Sequence, residues 1–191
     1  MNGQGPIRMI DTRALRDGCS QAGFTLIELL LAAAIIAIVA AVAVPQISAA
    51  RAATFETSTI TSLSEIQRAQ AAYAASCGGG SYAPTIARLA TAPRVNAPTF
   101  IAPGFTADTI DRAGYRIRFT AGARVASAPA TCNGLGRGLA VSGYFVEAAP
   151  LQTIYGRRYF GVSQRTVIYQ SFARVSPIFN GNPPPPARPI Q

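Results

Sequence analysis

Residues 23–45 read GFTLIELLLAAAIIAIVAAVAVP. Residues 29–45 are 17 consecutive positions without a polar side chain, and extending back to Phe24 adds only Thr25 and Glu28. Residues 24–44 number 21, close to the ~20 a helix needs to cross the hydrocarbon layer of a bilayer. Before them stand Arg8, Arg13 and Arg16 against Asp11 and Asp17. That bias keeps the N-terminus in the cytoplasm and sends the following residues across. Glu28 is the misfit, because a charged side chain inside a spanning helix costs ~2.5–3.5 kcal/mol on insertion scales. A cut after Gly23 would give it a use. Phe24 would then carry a new α-amino group, and that ammonium could neutralise the Glu28 carboxylate of an adjacent subunit in a dry helix bundle.

Composition narrows the function classes. The chain has 191 residues, 49% of them hydrophobic and only 13% charged. That mix suits neither a disordered protein nor an ordinary cytosolic enzyme. All 17 basic residues are Arg, and there is no Lys, His or Trp. Without histidine there is no Ser-His-Asp triad, no Cys-His dyad and no His-ligated metal site. Three cysteines cannot make a four-thiolate zinc site. No catalytic residue, metal site or cofactor is assigned, and the reading is of a protein that is not an enzyme.

Helical composition continues past the apolar run. Residues 48–76 hold many Ala, Glu, Gln and Arg and no Gly or Pro. Ile60, Leu63, Ile66, Gln70, Tyr73 and Cys77 recur at helical spacing, so one face packs on something. Gly78-Gly79-Gly80 should end the helix with a left-handed cap. Further on, residues 84–92 read as a short helix and Pro93, Pro98 and Pro103 punctuate a loop. Residues 114–120 alternate Tyr115, Ile117 and Phe119 with Arg116, Arg118 and Thr120, the pattern of a half-buried strand. Residues 139–148, 158–163 and 166–172 are three more strand candidates, the last two close enough for a hairpin. Residues 177–191 hold six prolines and should be extended or disordered.

Gly23-Phe24-Thr25-Leu26-Ile27-Glu28, followed by an apolar helix with Pro45, resembles the N-terminus of type IV pilins and of the type II secretion pseudopilins. The likeness is near residue by residue from Gly23 to Pro45 and weaker through residues 63–82. It implies that a prepilin peptidase cuts after Gly23 and methylates Phe24, that Glu28 is the assembly glutamate, and that Pro45 kinks or locally opens the helix. It also implies partners: other pilin subunits in a helical filament, the peptidase, and an inner-membrane assembly platform. Pilin leaders are usually short with a basic residue beside the glycine, whereas here Cys19-Ser20-Gln21-Ala22 precede it and the nearest Arg is Arg16. A start at Met9 would give a leader of 15 residues.

A secretory signal peptide cut near Ser48-Ala49-Ala50 is a rival. Its apolar core would exceed the usual 7–15 residues, and it has no use for Glu28. A plain membrane anchor is another. With Cys19 in the leader, Cys77 and Cys132 remain, and an even count in an exported domain favours a disulfide. Residues 24–191 carry 14 Arg against six acids, a side-chain charge of +8, and no acid follows Glu147. A basic face can bind nucleic acid or an anionic surface, although solubility and subunit contacts account for it as simply. The missing acids also argue against the major pseudopilin, whose family binds calcium through a C-terminal acidic loop.

The expected fold is α+β, a long N-terminal helix whose second half packs on an antiparallel sheet of about four strands. The expected parts are a leader (1–23), a transmembrane and polymerisation helix (24–45), its periplasmic continuation (46–77), a head (78–176) and a Pro-rich tail (177–191). The expected function is structural. The subunit is held in the inner membrane, processed, and polymerised into a type IV pilus-like filament; a secretion pseudopilin and a DNA-binding minor pilin are the alternatives.

Overall fold

The computed structural model describes residues 23–179 and 186–190. Residues 1–22 of the leader expected at 1–23, with Cys19, and residues 180–185 and 191 of the tail lie outside the described residues. The chain divides into two units after Ala43.

In the first unit helix α1 begins at Leu26, and it runs as a helix to Ser76. Thr25 starts it. Its Oγ1 accepts from the Glu28 N–H at 3.3 Å and its carbonyl from the Leu29 N–H at 3.2 Å. A side chain that takes up one of the four orphan donors of a first turn is a cap. Pro45 lies inside the helix and has no N–H, so the Ala41 carbonyl loses its helical donor.

The second unit is the head. Along residues 56–73 of α1 the buried stripe is Glu56, Thr59, Ser62, Leu63, Ile66, Ala69, Gln70 and Tyr73. The expected apolar face is there, with Ile60 at its half-buried border. The polar members are buried because their donors are used. Thr59 and Ser62 return their hydroxyls to carbonyls four residues back, at 2.9 and 3.0 Å. The Gln70 amide donates to the Ala83 carbonyl at 3.0 Å and accepts from the Ala83 N–H at 2.9 Å. A buried amide satisfied on both sides holds the helix to the chain that follows it. At the helix end, the Gly78 N–H bonds the Tyr73 carbonyl at 2.7 Å and the Gly80 N–H the Ala74 carbonyl at 2.9 Å. Gly79, with φ 58°, makes the left-handed turn that this requires.

The sheet has six antiparallel strands in sequence order: β1 (Thr109–Arg112), β2 (Tyr115–Ala121), β3 (Tyr144–Pro150), β4 (Tyr159–Ser163), β5 (Ile168–Ser171) and β6 (Arg188–Pro189). The inner face, built from Tyr115, Ile117 and Phe119 of β2, Val146 and Ala148 of β3 and Phe160 and Val162 of β4, shares one core with Leu63, Ile66 and Tyr73 of α1. A second short helix, α2 (Ile86–Leu89), adds Ile86 and Leu89 to it.

About four strands were expected; the α+β arrangement is as expected, with one further strand at each edge of the sheet. β1 joins β2 through Ala113-Gly114, with Arg112 facing Tyr115 and φ of 49° and 73° at the two turn residues. Two left-handed residues make the tight hairpin turn normally marked by Asn-Gly; Ala in the first position hides it. β6 forms inside the Pro-rich tail, pairing Tyr169 with Pro189 and Gln170 with Arg188. Proline is tolerated there because β6 is an edge strand. The strand expected at 139–148 begins only at Tyr144; Val141 makes isolated bridges to Tyr82 and Arg124. The β4–β5 hairpin is as expected, with Val162 facing Ile168.

Candidate functional site

In the N-terminal segment the apolar side chains face outward. Phe24 is 81% exposed, and Leu26, Ile27, Leu29, Leu30 and Leu31 are all more than half exposed. Burying one such side chain is worth about 1.5–3 kcal/mol, so the surface is built for surroundings the single chain does not supply. By length and composition α1 can cross a membrane. Among the described residues the Glu28 carboxylate makes no hydrogen bond or ion pair. Its backbone N–H on Thr25 is a local effect that the sequence signals as Thr-x-x-Glu. Of the expected site residues, Gly23 and Phe24 stand ahead of the helix, Glu28 lies in its first turn and Pro45 inside it. Gly23 is not demanded by packing, since a Cβ there would meet nothing within 4 Å.

The two cysteines of the head are joined. Cys77, just past α1, is bonded to Cys132 in the loop before β3, with Cα atoms 5.0 Å apart. That loop is also held by Asn133, whose Nδ2 donates to the carbonyl of Arg88 at 2.7 Å and of Thr91 at 3.3 Å, while its carbonyl accepts from Arg88 Nη1 at 2.9 Å.

The C-terminal arginines do not form one free face. Arg158 donates from Nε to Glu56 Oε2 at 2.7 Å, also from Nη2 to the same oxygen, and from Nη1 to Gln170 Oε1 at 2.8 Å. The Arg157 N–H adds a bond to Glu56 Oε1 at 3.3 Å. Arg174 stands 3.9 Å from Glu147. Buried Glu56 thus ties α1 to the β4 entrance, and the Tyr115 hydroxyl closes the network on the Arg158 carbonyl at 3.1 Å. Burial, and then the Glu56 charge, raise the Tyr115 phenol above its ordinary range. Sequence reading missed Glu56, because nothing local marks a partner 102 residues away. Among the described residues no three His, Cys, Asp or Glu side chains stand together as a metal site.

Residues 19–44 match the family model described as the prokaryotic N-terminal methylation motif, the prepilin-type motif of type IV pilins and pseudopilins. The motif implies processing by prepilin peptidase and assembly with other pilins, and it indicates a structural subunit. No curated protein and no solved structure gives a significant match to the chain.

Proposed function

We propose that this chain is a structural subunit of a type IV pilus-like filament. The observation that carries the reading is the coincidence of the methylation motif at 19–44 with an outward-facing apolar helix on which the Glu28 carboxylate has no partner among the described residues. Prepilin peptidase cuts after Gly23 and methylates Phe24. Residues 24–45 hold the subunit in the inner membrane with the head in the periplasm, and in the filament the same residues pack on those of neighbours. There the Phe24 amine meets the Glu28 carboxylate of an adjacent subunit. A buried carboxylate needs such a partner, since stranding one costs several kcal/mol. Pro45 supplies a point where the helix can open during assembly, because one of its hydrogen bonds is already missing. The openness around Gly23 supports a role in peptidase recognition rather than in folding.

A pseudopilin of type II secretion would use the same N-terminus. The pilus is preferred over the major pseudopilin because no acid follows Glu147, which leaves a C-terminal calcium loop without carboxylates.

The intact mass of the mature protein should match residues 24–191 with an added methyl group and two hydrogens lost to the disulfide. A mature N-terminus at Arg51 would overturn the reading in favour of an ordinary signal peptide. Glu28→Ala should be inserted and cleaved normally, accumulate as processed protein in the inner membrane, and yield few or no sheared surface filaments. Filaments at the wild-type level, without wild-type subunits present, would remove Glu28 from assembly.

A further inference from the structure

Beside α1 the head carries an open cleft of about 540 Å³, lined by Ile60, Arg158, Gln170, Arg188, Pro189 and Ile190. Two guanidinium groups reach it. Arg158 is partly committed to Glu56 and Gln170, but a guanidinium has five donors and some remain. Arg188 is exposed on β6, and its guanidinium has no hydrogen bond or ion pair among the described residues. The cleft is therefore cationic with apolar walls, the surroundings in which a carboxylate on an aliphatic stem fits.

The head also carries the complementary group. Of its acidic side chains, Glu56 is taken by Arg158, Asp108 by the Ile86 N–H at 2.7 Å, Asp111 by Arg116 at 2.8 Å, and Glu147 lies near Arg174. The carboxylate of Glu65, half-buried on α1, has neither hydrogen bond nor ion pair among the described residues. The nearby Arg68 turns its Nε back to the Ser64 carbonyl at 3.3 Å. At 3.6 residues per turn, Glu65 and the cleft residue Ile60 stand about 140° apart around the helix on its solvent side. Leu63, Gln70, Ile66 and Tyr73 occupy the arc between them on the buried side. One unpaired anion and one cationic cleft thus mark opposite flanks of the same helix.

We infer that the Arg158–Arg188 cleft receives Glu65 of a second copy of this chain, a head-to-tail contact within the filament. Its partner is this chain itself because the charges complement each other and lie on different flanks. Such a contact is heterologous, and repeated without closing it generates a helical filament rather than a dimer. The inference rests on the filament reading and names a contact of the head that it did not assign.

Charge reversal in the full-length chain tests it. Glu65→Arg and Arg188→Glu should each lower the sheared filament fraction about tenfold or more, because like charges then meet across the contact. Processed subunit levels should stay unchanged, and the double variant should restore assembly. Arg165→Glu, on an exposed hairpin residue, controls for net charge and should assemble normally. Under mild oxidation, Glu65→Cys with Arg188→Cys in one chain should give a ladder of linked subunits, and either cysteine alone should not. Single reversals without effect, a double variant that stays defective, or no ladder would each overturn the contact. If Arg188→Glu assembles normally but loses retention of a labelled single-stranded oligonucleotide, the cleft serves a nucleic acid and the contact is wrong. Loss of filaments in Glu28→Ala with normal assembly in both reversals would sink this contact and leave the filament reading standing; a wild-type chain that forms no filament would sink both.

Discussion

The two halves of α1 reverse the usual link between polarity and burial. Its first half is nearly all Leu, Ile, Val and Ala, yet Leu29, Ile36, Ile38 and Val39 are all more than half exposed. Its second half is rich in Ser, Thr, Glu and Gln, yet Thr59 and Gln70 are fully buried and Ser62 is 4% exposed. Apolar surface is buried only where a partner exists, and the head provides one for the second half. Polar groups accept burial only when satisfied. Ser62 and Thr59 return their hydroxyls to the helix, Gln70 uses the Ala83 peptide, and Glu56 takes Arg158. The first half is thus legible by composition and the second by its hydrogen bonds.

The largest expected effect lies where the second half ends. Reducing or replacing the Cys77–Cys132 bridge frees a loop with a sequence separation of 55, worth ~4 kcal/mol in the chain-entropy model. Cys77→Ser with Cys132→Ser should lower the unfolding midpoint of the detergent-solubilised protein by many degrees, with the first half of α1 retaining its helical signal. Two alkylatable thiols in wild-type protein purified without reductant would refute the bridge.

The halves can be set against each other with one chemistry. Leu63→Ala removes a fully buried side chain and should destabilise the head by about 2–5 kcal/mol. Leu30→Ala, at a position 59% exposed, should change head stability by less than about 0.5 kcal/mol and weaken filament assembly instead. Equal effects on thermal unfolding of the head would break the comparison.

Alkaline pH should lower the stability of the head. Burial raises the Tyr144 phenol, with a further rise from Tyr82, and burial and Glu56 raise Tyr115. Below about pH 10, the ordinary phenol value, both folded and unfolded states keep these protons and stability does not depend on them. Above it the unfolded chain loses protons that the folded head retains, so stability falls as pH rises. Thermal midpoints should be flat toward pH 10 and then drop, and Tyr144→Phe should flatten the drop. An unchanged slope in that variant would remove Tyr144 from the effect.

The legible parts of the fold are those with local signals. The apolar run announced the first half of α1, the Leu63–Ile66–Gln70–Tyr73 spacing announced the packed face, and the Tyr115–Ile117–Phe119 alternation announced β2. Thr25-x-x-Glu28 was a readable cap eclipsed by the charge of Glu28. The rest was hidden by distance or by misleading composition. Glu56 has no local mark of its burial, because its partner Arg158 is 102 residues away. The tail looked like an unpaired Pro-rich terminus, although Pro189 sits on a sheet edge where no N–H is needed.

The smallest test concerns the turn that concealed β1. Ala113 has φ 49° and Gly114 φ 73°, and Arg112 and Tyr115 close the pair. A left-handed conformation costs an L-residue with a Cβ about 1–2 kcal/mol, whereas Asn visits it more readily through its short polar side chain. Asn-Gly is also the preferred pair for this turn. Ala113 therefore carries strain that the β1–β2 pairing holds in place, and the strand itself, Thr-Ile-Asp-Arg, offers little apolar alternation to advertise it. Ala113→Asn should relieve part of that strain and raise head stability by about 0.5–1 kcal/mol, leaving processing and assembly unchanged. Ala113→Pro, whose φ is fixed near −65°, should disrupt the hairpin and lower the unfolding midpoint. Amide exchange at the β1–β2 register would report both: slower in the first variant, faster in the second. If Ala113→Asn destabilises the head, the turn is not built as described and β1 owes its place to other contacts.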